Sequence, residues 1–218
     1  MATPQLPEWL QKSLTESIGP PISLQVAHSA EFSVVRTVYA NNEERDTARE
    51  YCRRALPSYL PEYMLNILDL GAGNALIYPH AIRIDAHSGM WRWDDGATEE
   101  TQADFLWDVR TLPFIHEVID VIFSWHLLEH FWDHERVAVL TDWTRVLRIG
   151  GRMCHIYPQF PYSGGVDKPI WRDSWGHKSK LTEANLLADF AQISNLAVLE
   201  HGWSTPGWDK YIILEKTG

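Results

Sequence analysis

The chain has 218 residues, of which 45% are hydrophobic and 22% are charged, and its formal net charge is −10. This composition is typical of one globular domain with a proper core. The acidic balance argues against bulk nucleic acid as a partner, because phosphate binding usually requires a basic surplus. No apolar run approaches the roughly 20 residues that cross a bilayer, and no basic segment precedes an apolar one at the N-terminus. We therefore expect no membrane partner.

The two cysteines, Cys52 and Cys154, lie far apart in the sequence. They predict neither a disulfide framework nor a zinc knuckle, so we expect a reducing, cytoplasmic location. Cys154 falls in a predicted strand, where burial explains it. The sequence makes no prediction of oligomeric state.

Residues 1–60 predict a helical N-terminal extension that caps the rest of the domain. Four prolines and a glycine interrupt residues 1–30, which indicates short turns. Residues 41–60, NNEERDTAREYCRRALPSYL, predict a helix, because an Asn opens the segment and acids follow it. Cys52, Ala55 and Leu56 could share one face of that helix.

Strands and helices alternate from residue 64 onwards. The strand candidates are MLNILDL, HAIRID, ADFLWDV (103–109), VIDVIFSW (118–125), RIGGRMCHIYP, LAVLEHGW and KYIILEKTG. The helix candidates are HLLEHFWDHERVAVLTDWTRVL and LTEANLLADFAQI (181–193). This alternation predicts an α/β fold with a mostly parallel sheet, closed by an antiparallel pair of C-terminal strands. We expect one domain over residues 1–218, with a core over 61–160 and a substrate-side loop, helix and closing strands over 161–218.

Acids and glycines stand where three of the predicted strands end. The first strand ends in Asp69-Leu70-Gly71-Ala72-Gly73, and glycines there allow a tight turn close to a ligand. Asp85 ends the second strand, where a carboxylate can accept both hydroxyls of a ribose. Asp108 closes the third candidate strand, in a place suited to the exocyclic amine of a purine.

The ordered set of motifs resembles the class I S-adenosylmethionine-dependent methyltransferases, closely over residues 65–160. LDLGAG looks like their first motif, Asp85 like their ribose-binding acid, and DVRTLPF like the segment that packs on adenine. DVIFSWHLLEHF and WTRVLRIGGRMCHIYP are similar to the fourth and fifth strands of that family with their flanking elements. The resemblance implies a Rossmann-like sheet with helices on both faces, and S-adenosylmethionine as cofactor with S-adenosylhomocysteine as product. The cofactor contacts that it implies are Asp69, Gly71, Ala72, Gly73, Asp85, Ala86, Asp108, Val109, Ser124 and Trp125.

The sequence departs from that family between its first two strands. Ala75 replaces a frequent third glycine, and only residues 74–81 connect the glycine turn to the next strand. A parallel crossover usually needs a dozen or more residues. We therefore expect the first crossover helix to be nearly absent and replaced by a short loop, with the N-terminal residues covering the exposed side of the cofactor.

HLLEH, residues 126–130, matches the H-x-x-E-H spacing of an inverted zinc-protease motif. His134 lies one turn further along the predicted helix, so His126, His130 and His134 could align as ligands. The family resemblance explains the spacing without a metal, because H-x-L-E-H is frequent at this place in the family. We expect no metal and assign His126 and His130 as the catalytic residues, since histidine suits a general base at neutral pH.

The acceptor side is predicted to involve the mixed-charge segment DKPIWRDSWGHKSK, residues 167–180. Its candidate substrate contacts are Trp171, Trp175, His177 and Lys178, because aromatic faces suit flat ligands and cations suit anions. The chain lacks the Asn/Asp-Pro-Pro-aromatic signature of amino-directed DNA methyltransferases after its fourth strand, and it has no cysteine nucleophile there. The predicted function is methyl transfer to an oxygen or nitrogen of a small or medium-sized acceptor, including anionic sugars, nucleotides and related metabolites.

Three other hypotheses stay open at the level of sequence. The short crossover and Ala75 would also suit a binding or regulatory protein built on a degenerate methyltransferase fold. A nicotinamide-dependent oxidoreductase shares D-x-G-x-G but normally adds a third glycine that opens a long helix. The zinc reading of HLLEH would give a hydrolase.

Overall fold

The computed structural model describes residues 42–61, 64–73, 77, 81–85, 90–92, 98–100, 103–160 and 177–218. Its helices are α1 (Asn42–Arg54), α2 (Asp133–Val146) and α3 (Glu183–Phe190), with a 3₁₀ turn at Leu128–His130. Its strands are β1 (Ile67–Leu70), β2 (Ile82–Asp85), β3 (Met90–Arg92), β4 (Thr98–Glu100), β5 (Phe105–Leu106), β6 (Ile119–Trp125), β7 (Leu147–Pro158), β8 (Leu196–Thr205) and β9 (Asp209–Lys216).

Seven strands form one sheet in the order β5-β2-β1-β6-β7-β9-β8. The first five of these strands run parallel to one another. β9 lies antiparallel between β7 and β8. The predicted Rossmann-like α/β sheet with an antiparallel C-terminal pair is confirmed. The parallel strands end at one edge, so the residues that follow β1, β2 and β6 lie near one another there.

Alternate residues of the sheet enter two hydrophobic cores, one on each face. Leu68 and Leu70 of β1 pack with residues of α2 and α3, including Trp143. Ile67 packs in the second core with Cys52 and Ala55, from α1 and the turn that follows it. Both faces of the sheet are therefore covered by helices, which explains why VIDVIFSW carries almost no polar residue.

The predicted helix over residues 41–60 is observed over Asn42–Arg54, and its buried face is the predicted one. Cys52 and Ala55 are fully buried, and Leu56 packs beside them. The helix stops before Pro57, which disfavours a helical conformation in the residue before it. The predictions for residues 1–41 lie outside the described residues, and the single-domain assignment over 1–218 stays a prediction.

The connection from β1 to β2 contains no helix among its described residues, which are 71–73, 77 and 81. Most of the segment 74–81 lies outside the described residues, so the expected loss of the first crossover helix stays a prediction. The small β3–β4 hairpin, with Met90 paired to Glu100, was not predicted. The third predicted strand, 103–109, is reduced to Phe105–Leu106. Asp104 before it pairs with Arg83, whose Nη2 lies 2.7 Å from Oδ1 of Asp104.

The prediction of one continuous helix from His126 to Leu147 is wrong at its N-terminal end. His126 has a φ of 53°, in the left-handed region, and its N–H donates to the carbonyl of Ile156. The α-helix begins only at Asp133, where the Glu135 side chain accepts from the N–H of Trp132 and acids occupy the first turn. His126, His130 and His134 therefore do not share one helix face.

The predicted helix over 181–193 is confirmed over Glu183–Phe190, with its cap at Thr182. The Thr182 hydroxyl accepts from the N–H of Asn185, and the Asn185 side chain accepts from the N–H of Thr182. This reciprocal pair satisfies two backbone donors at the helix start. No helix in the described part of the chain has the length and apolar character that a membrane crossing requires.

A fully buried histidine lies in the core between the sheet and α3. His155 of β7 is 0% exposed, and its Nδ1 lies 2.8 Å from Oγ of Ser124. Its ring stacks on Phe190 with an interplanar angle of 8°. Burial lowers the pKa of His155 from 6.5 to about 3. The core therefore accommodates the neutral ring and disfavours the imidazolium.

His155 should make the fold less stable as the pH falls. The unfolded chain binds a proton on this side chain below about pH 6.5 and the folded chain does not, so the free energy of unfolding decreases by about 1.4 kcal/mol from pH 7.5 to pH 5.5 through this group. His155→Gln should lack this contribution, as measured by urea unfolding at both pH values. Ser124→Ala keeps the buried ring and should retain the wild-type difference. An unchanged pH dependence in His155→Gln would contradict the assignment.

Candidate active site

The glycine turn after β1 is held against β2 and the segment that follows β6. Gly71 and Gly73 have φ values of 67° and 50°, in the region that glycine adopts without strain. The N–H of Gly71 donates to the carbonyl of Ile84 over 2.8 Å. A Cβ on Gly71 would lie 2.8 Å from Cδ1 of Leu127, so the residue after His126 packs directly on the turn.

Two carboxyl groups flank this turn. Asp85 ends β2, and its Oδ2 accepts from the N–H of Gly73 over 3.0 Å. Asp69 of β1 is 2% exposed, and its Oδ2 has no hydrogen-bond partner among the described residues. Burial raises the pKa of Asp69 well above its usual value, against the opposing charge of Arg83. A buried acid of this kind is suited to a cationic ligand group.

The turn also leaves space for a ligand. No described atom lies within 4 Å of the position that a Cβ on Gly73 would occupy. Asp69, Gly73 and the half-buried carboxylate of Asp85 lie at the edge where β1 and β2 end, and Gly73 is bonded to Asp85 there. These residues fit a cofactor that has a cationic amino group and a ribose, and Ala72 lies between the two glycines of the turn.

Asp108 and Val109 lie beyond β5 rather than at its end. The Asp108 carboxylate forms a bidentate pair with Arg110, in which Nη2 lies 2.5 Å from Oδ2. That hydrogen bond lowers the pKa of Asp108. Val109 is buried, and its carbonyl accepts from Nε1 of Trp143 over 2.7 Å. Their predicted contacts to adenine stay predictions, and an adenine amine would have to share Asp108 with Arg110.

Ser124 and Trp125 occupy the last two positions of β6 and differ in exposure. Ser124 is fully buried, and its hydroxyl bonds His155 in the core, so the structure places it away from solvent. Trp125 is half-buried, and its ring meets His126 edge to face at 5.7 Å between centroids. Trp125 is therefore the better placed of the two predicted cofactor contacts, although both stay predictions.

His126 forms a dyad with a buried carboxylate from the last strand. Its Nε2 lies 3.0 Å from Oδ1 of Asp209, whose side chain is 6% exposed, whereas the side chain of His126 is 35% exposed. A non-glycine residue with positive φ is uncommon, and such strain concentrates at functional sites. A buried carboxylate that orients an accessible imidazole is the arrangement of a general base.

A second group of titratable side chains lies four residues further along the chain. Glu129 is 0% exposed, and neither of its carboxylate oxygens has a hydrogen-bond partner among the described residues. The rings of His130 and His177 meet edge to face at 4.9 Å between centroids. Nε2 of His177 lies 3.8 Å from Oε1 of Glu129. Burial raises the pKa of Glu129, while the charges of His130 and His126 oppose that rise.

The predicted substrate contacts divide into described and undescribed residues. His177 and Lys178 are brought to the site, because the N–H groups of Lys178 and Ser179 both donate to the carbonyl of Glu129. Nζ of Lys178 lies 6.0 Å from the centroid of the Trp132 ring. Trp171, Trp175 and Ala86 lie outside the described residues.

Asp209 and the core position of Glu129 were not predicted from the sequence as parts of a site. Asp209 lies 83 positions from His126 and is preceded by a glycine-containing turn, which gave no signal beyond a strand start. Glu129 is part of the HLLEH motif, but its contact with His177 comes from a segment far away in the sequence, so the motif does not predict it.

Comparison with known proteins agrees with this geometry. Residues 68–155 match the family model described as a methyltransferase domain. No curated protein sequence gives a significant match to the chain. The chain is structurally similar to an S-adenosylmethionine-dependent methyltransferase from Mesorhizobium loti, with a TM-score of 0.57, 13% identity and coverage of 81% of this chain and 99% of that one.

Two further solved structures have the same fold and different named activities. One is the magnesium protoporphyrin IX methyltransferase of Synechocystis PCC 6803, with a TM-score of 0.55, 13% identity and coverage of 80% of this chain and 84% of that one. The other is the geranyl diphosphate C-methyltransferase of Streptomyces coelicolor A3(2), with a TM-score of 0.57, 12% identity and coverage of 79% of each chain. At these identities the likeness shows the fold alone.

The sheet topology and the glycine edge define a class I methyltransferase fold. The family match over residues 68–155, together with this fold, indicates an S-adenosylmethionine-dependent methyltransferase with S-adenosylmethionine as cofactor. The predictions of family, fold, enzyme class and cofactor are confirmed. The match favours this class over the nicotinamide oxidoreductase and the zinc hydrolase.

Proposed function

We propose that this enzyme methylates an oxygen or nitrogen atom of a small or medium-sized cytoplasmic acceptor, and that it favours anionic sugars, nucleotides or related metabolites. The observation that carries the proposal is the dyad of His126 and Asp209 beside the glycine turn. Hydroxyl and amine acceptors must lose a proton as they are methylated, and an oriented imidazole can receive it. The two free, buried cysteines support a reducing compartment.

In this proposal, one set of residues at the ends of the parallel strands binds the cofactor and another set accepts the proton. When bound, S-adenosylmethionine supplies an electrophilic methyl group on a sulfonium. Gly71 and Gly73 would let the backbone approach the cofactor, Asp85 would accept hydrogen bonds from the ribose hydroxyls, and Asp69 would favour the cationic part. His126 takes the proton of the acceptor, and Asp209 holds its ring and stabilises the imidazolium that forms. Proximity and orientation supply most of the remaining rate enhancement.

The preference for an anionic acceptor rests on Lys178, whose backbone is bonded to Glu129 in the segment that follows His126. Lys178 lies close enough to Asp108 to help lower the pKa of that carboxyl, after the larger effect of Arg110. The ring of His177, the residue before Lys178, contacts the ring of His130 at 4.9 Å between centroids. An anionic group near Lys178 would gain a charge-assisted hydrogen bond, typically worth about 1.5–3 kcal/mol.

Matched acceptor pairs test this proposal. Purified enzyme with labelled S-adenosylmethionine should methylate an oxygen or nitrogen of a nucleoside monophosphate or sugar phosphate with a higher kcat/KM than the corresponding neutral compound. Lys178→Gln should reduce that preference about tenfold. Lys180→Gln should retain the preference for the anionic acceptor. In the wild type, Nζ of Lys180 lies over the Phe160 ring, 4.2 Å from its centroid. Mass spectrometry of the products identifies the methylated atom.

Three results would contradict the proposal. A neutral acceptor preferred by the wild type would overturn the anionic preference. Methylation at carbon or sulfur would overturn the assigned atom class. Tight binding of S-adenosylhomocysteine without transfer to any acceptor class would favour the binding or regulatory protein that the short β1–β2 connection also permits.

A further inference from the structure

Glu129 is a buried acid at the centre of the second cluster, and His177, 3.8 Å away, can compensate its charge only when the imidazole is protonated. The side chain of Glu129 is 0% exposed, and neither carboxylate oxygen receives a hydrogen bond from the described residues. Removing an ionised carboxylate from water without a partner costs several kcal/mol. The fold must therefore keep this acid protonated, protonate the neighbouring imidazole of His177, or supply a cation that the methyl transfer described above does not require.

Two imidazoles stand beside this acid in the positions of further ligands. One ligand atom from each of Glu129, His130 and His177 lies within 4.8 Å of the others. His177 is 7% exposed, and the pair formed by its Nε2 and Oε1 of Glu129 is 3.8 Å apart, too far for a hydrogen bond. Ligand atoms around a tetrahedral zinc with bonds of roughly 2.1 Å are about 3.4 Å apart. Side-chain rotations that close the group by about an ångström would reach that geometry.

The backbone holds the two halves of the cluster together independently of these side chains. The carbonyl of Glu129 accepts from the N–H groups of Lys178, over 2.8 Å, and Ser179, over 3.1 Å. Oγ of Ser179 in turn accepts from the buried Arg136, which also pairs with Asp189 of α3. This anchored frame keeps His177 against His130 and makes a preorganised site rather than a chance meeting of surface groups.

We propose that Glu129, His130 and His177 bind one transition-metal ion of the zinc class. Two imidazoles and one carboxylate form a ligand set found at catalytic zinc sites, where the fourth position remains open to water or an anionic oxygen. Imidazole ligands favour zinc, cobalt, nickel or copper over magnesium and calcium. A bound divalent ion would compensate the charge of the buried carboxylate and, with two neutral imidazoles, leave the site with a net charge of about +1.

This site differs from the zinc site that the H-x-x-E-H spacing suggests. That reading would combine His126, His130 and His134, which the structure separates because the helix begins only at Asp133. The present site uses only His130 of that set and gains His177 from a segment 47 residues further along the chain. His126 is not one of its three ligands and is bonded to Asp209, although the charges of both residues of the dyad reach Glu129.

Metal binding by the full chain tests this inference without any methyl-transfer assay. The protein is stripped with a chelator and titrated calorimetrically with Zn²⁺, and in parallel with Co²⁺ followed by visible absorption. The wild type should bind one equivalent of each ion and give the strong visible bands of tetrahedral cobalt. Glu129→Gln and His177→Gln should each weaken zinc binding at least about 100-fold, because changes to outer-shell partners alone cost 10- to 100-fold.

A matched control and a fold check keep the result interpretable. His134→Gln removes an exposed histidine from the start of α2 and should bind zinc like the wild type. Glu129→Gln replaces a buried acid by a neutral isostere, so it should fold without metal, as judged by urea unfolding. The inference is overturned if the stripped wild type binds neither ion, or if all three variants bind zinc as tightly as the wild type does.

Discussion

Replacing His126 with alanine should lower kcat/KM for methyl transfer by about 100- to 10,000-fold, the range expected when a general base is removed. The affinity for S-adenosylhomocysteine should change by no more than about twofold, because we propose that the Asp85 carboxylate and the glycine backbone, rather than His126, hold the cofactor. This separation of rate from binding distinguishes a base from a structural residue. The measurements are steady-state kinetics with the best acceptor and calorimetric titration with S-adenosylhomocysteine.

Asp209 gives the second half of this prediction. Its carboxylate bonds Nε2 of His126 and is almost fully buried, so Asp209→Asn should disturb the tautomer and orientation of the ring with little change of shape. We expect a loss of about 100-fold or more in kcat. The double variant His126→Ala/Asp209→Asn should be hardly slower than His126→Ala, because residues that act as one unit have non-additive effects.

A second histidine–carboxylate pair supplies the control for the dyad. His201 of β8 pairs with Glu183 over 2.7 Å, but its side chain is 42% exposed. His201→Gln should leave kcat/KM within about twofold of the wild type, since an exposed ion pair contributes little. Additive losses in the double variant, or full activity in His126→Ala, would show that His126 is not the base and that the acceptor arrives deprotonated.

The fold was predictable because its strands are buried on both faces. A nearly continuous apolar run such as VIDVIFSW fits little else, and it forms β6 almost as predicted. The edge strand β5 was harder to predict. ADFLWDV has the composition of a strand, yet Asp104 is drawn into its pair with Arg83 and Asp108 into its pair with Arg110. Only two residues remain in the sheet.

The start of α2 illustrates a different limit. Helical spacing of apolar residues continues unbroken from Leu127 into the helix, so periodicity alone cannot place the break. The break is set by the left-handed backbone at His126, which continues the hydrogen bonding to β7, and by the Glu135 side chain that caps a new helix. The backbone conformation of His126 and the cap by Glu135 depend on tertiary contacts and local backbone geometry, which the spacing of apolar residues does not predict.

The sequence predicted the candidate-site residues that come from neighbouring strand ends. It missed the one that comes from a strand distant in the sequence. Asp69, Gly71, Gly73 and Asp85 come from two adjoining strand ends, and the parallel topology alone brings them together. Asp209 meets His126 only because β9 inserts beside β7, where Pro158 pairs with Asp209. That insertion depends on antiparallel pairing near the end of the chain, whose register the sequence did not specify.

Replacing Asp85 with alanine should weaken S-adenosylhomocysteine binding at least about 100-fold. Two charge-assisted hydrogen bonds to ribose hydroxyls would be lost, each typically worth about 1.5–3 kcal/mol, and every 1.4 kcal/mol is tenfold in affinity. The variant also removes the acceptor of the Gly73 N–H, so the turn loses the side chain that holds it. Calorimetric titration of the purified protein measures the change.

Asp85→Asn separates these two effects, because its amide oxygen can still accept from the N–H of Gly73 while the charge is gone. If the carboxylate anchors the ribose, Asp85→Asn should bind about tenfold more weakly than the wild type and should remain tighter than Asp85→Ala. Equal and full affinity in all three proteins would remove Asp85 from the cofactor site and would leave the glycine backbone and Asp69 as its only anchors at this edge. Urea unfolding of both variants shows whether a lost affinity reflects the contact itself, because the half-buried Asp85 should contribute little to the stability of the sheet.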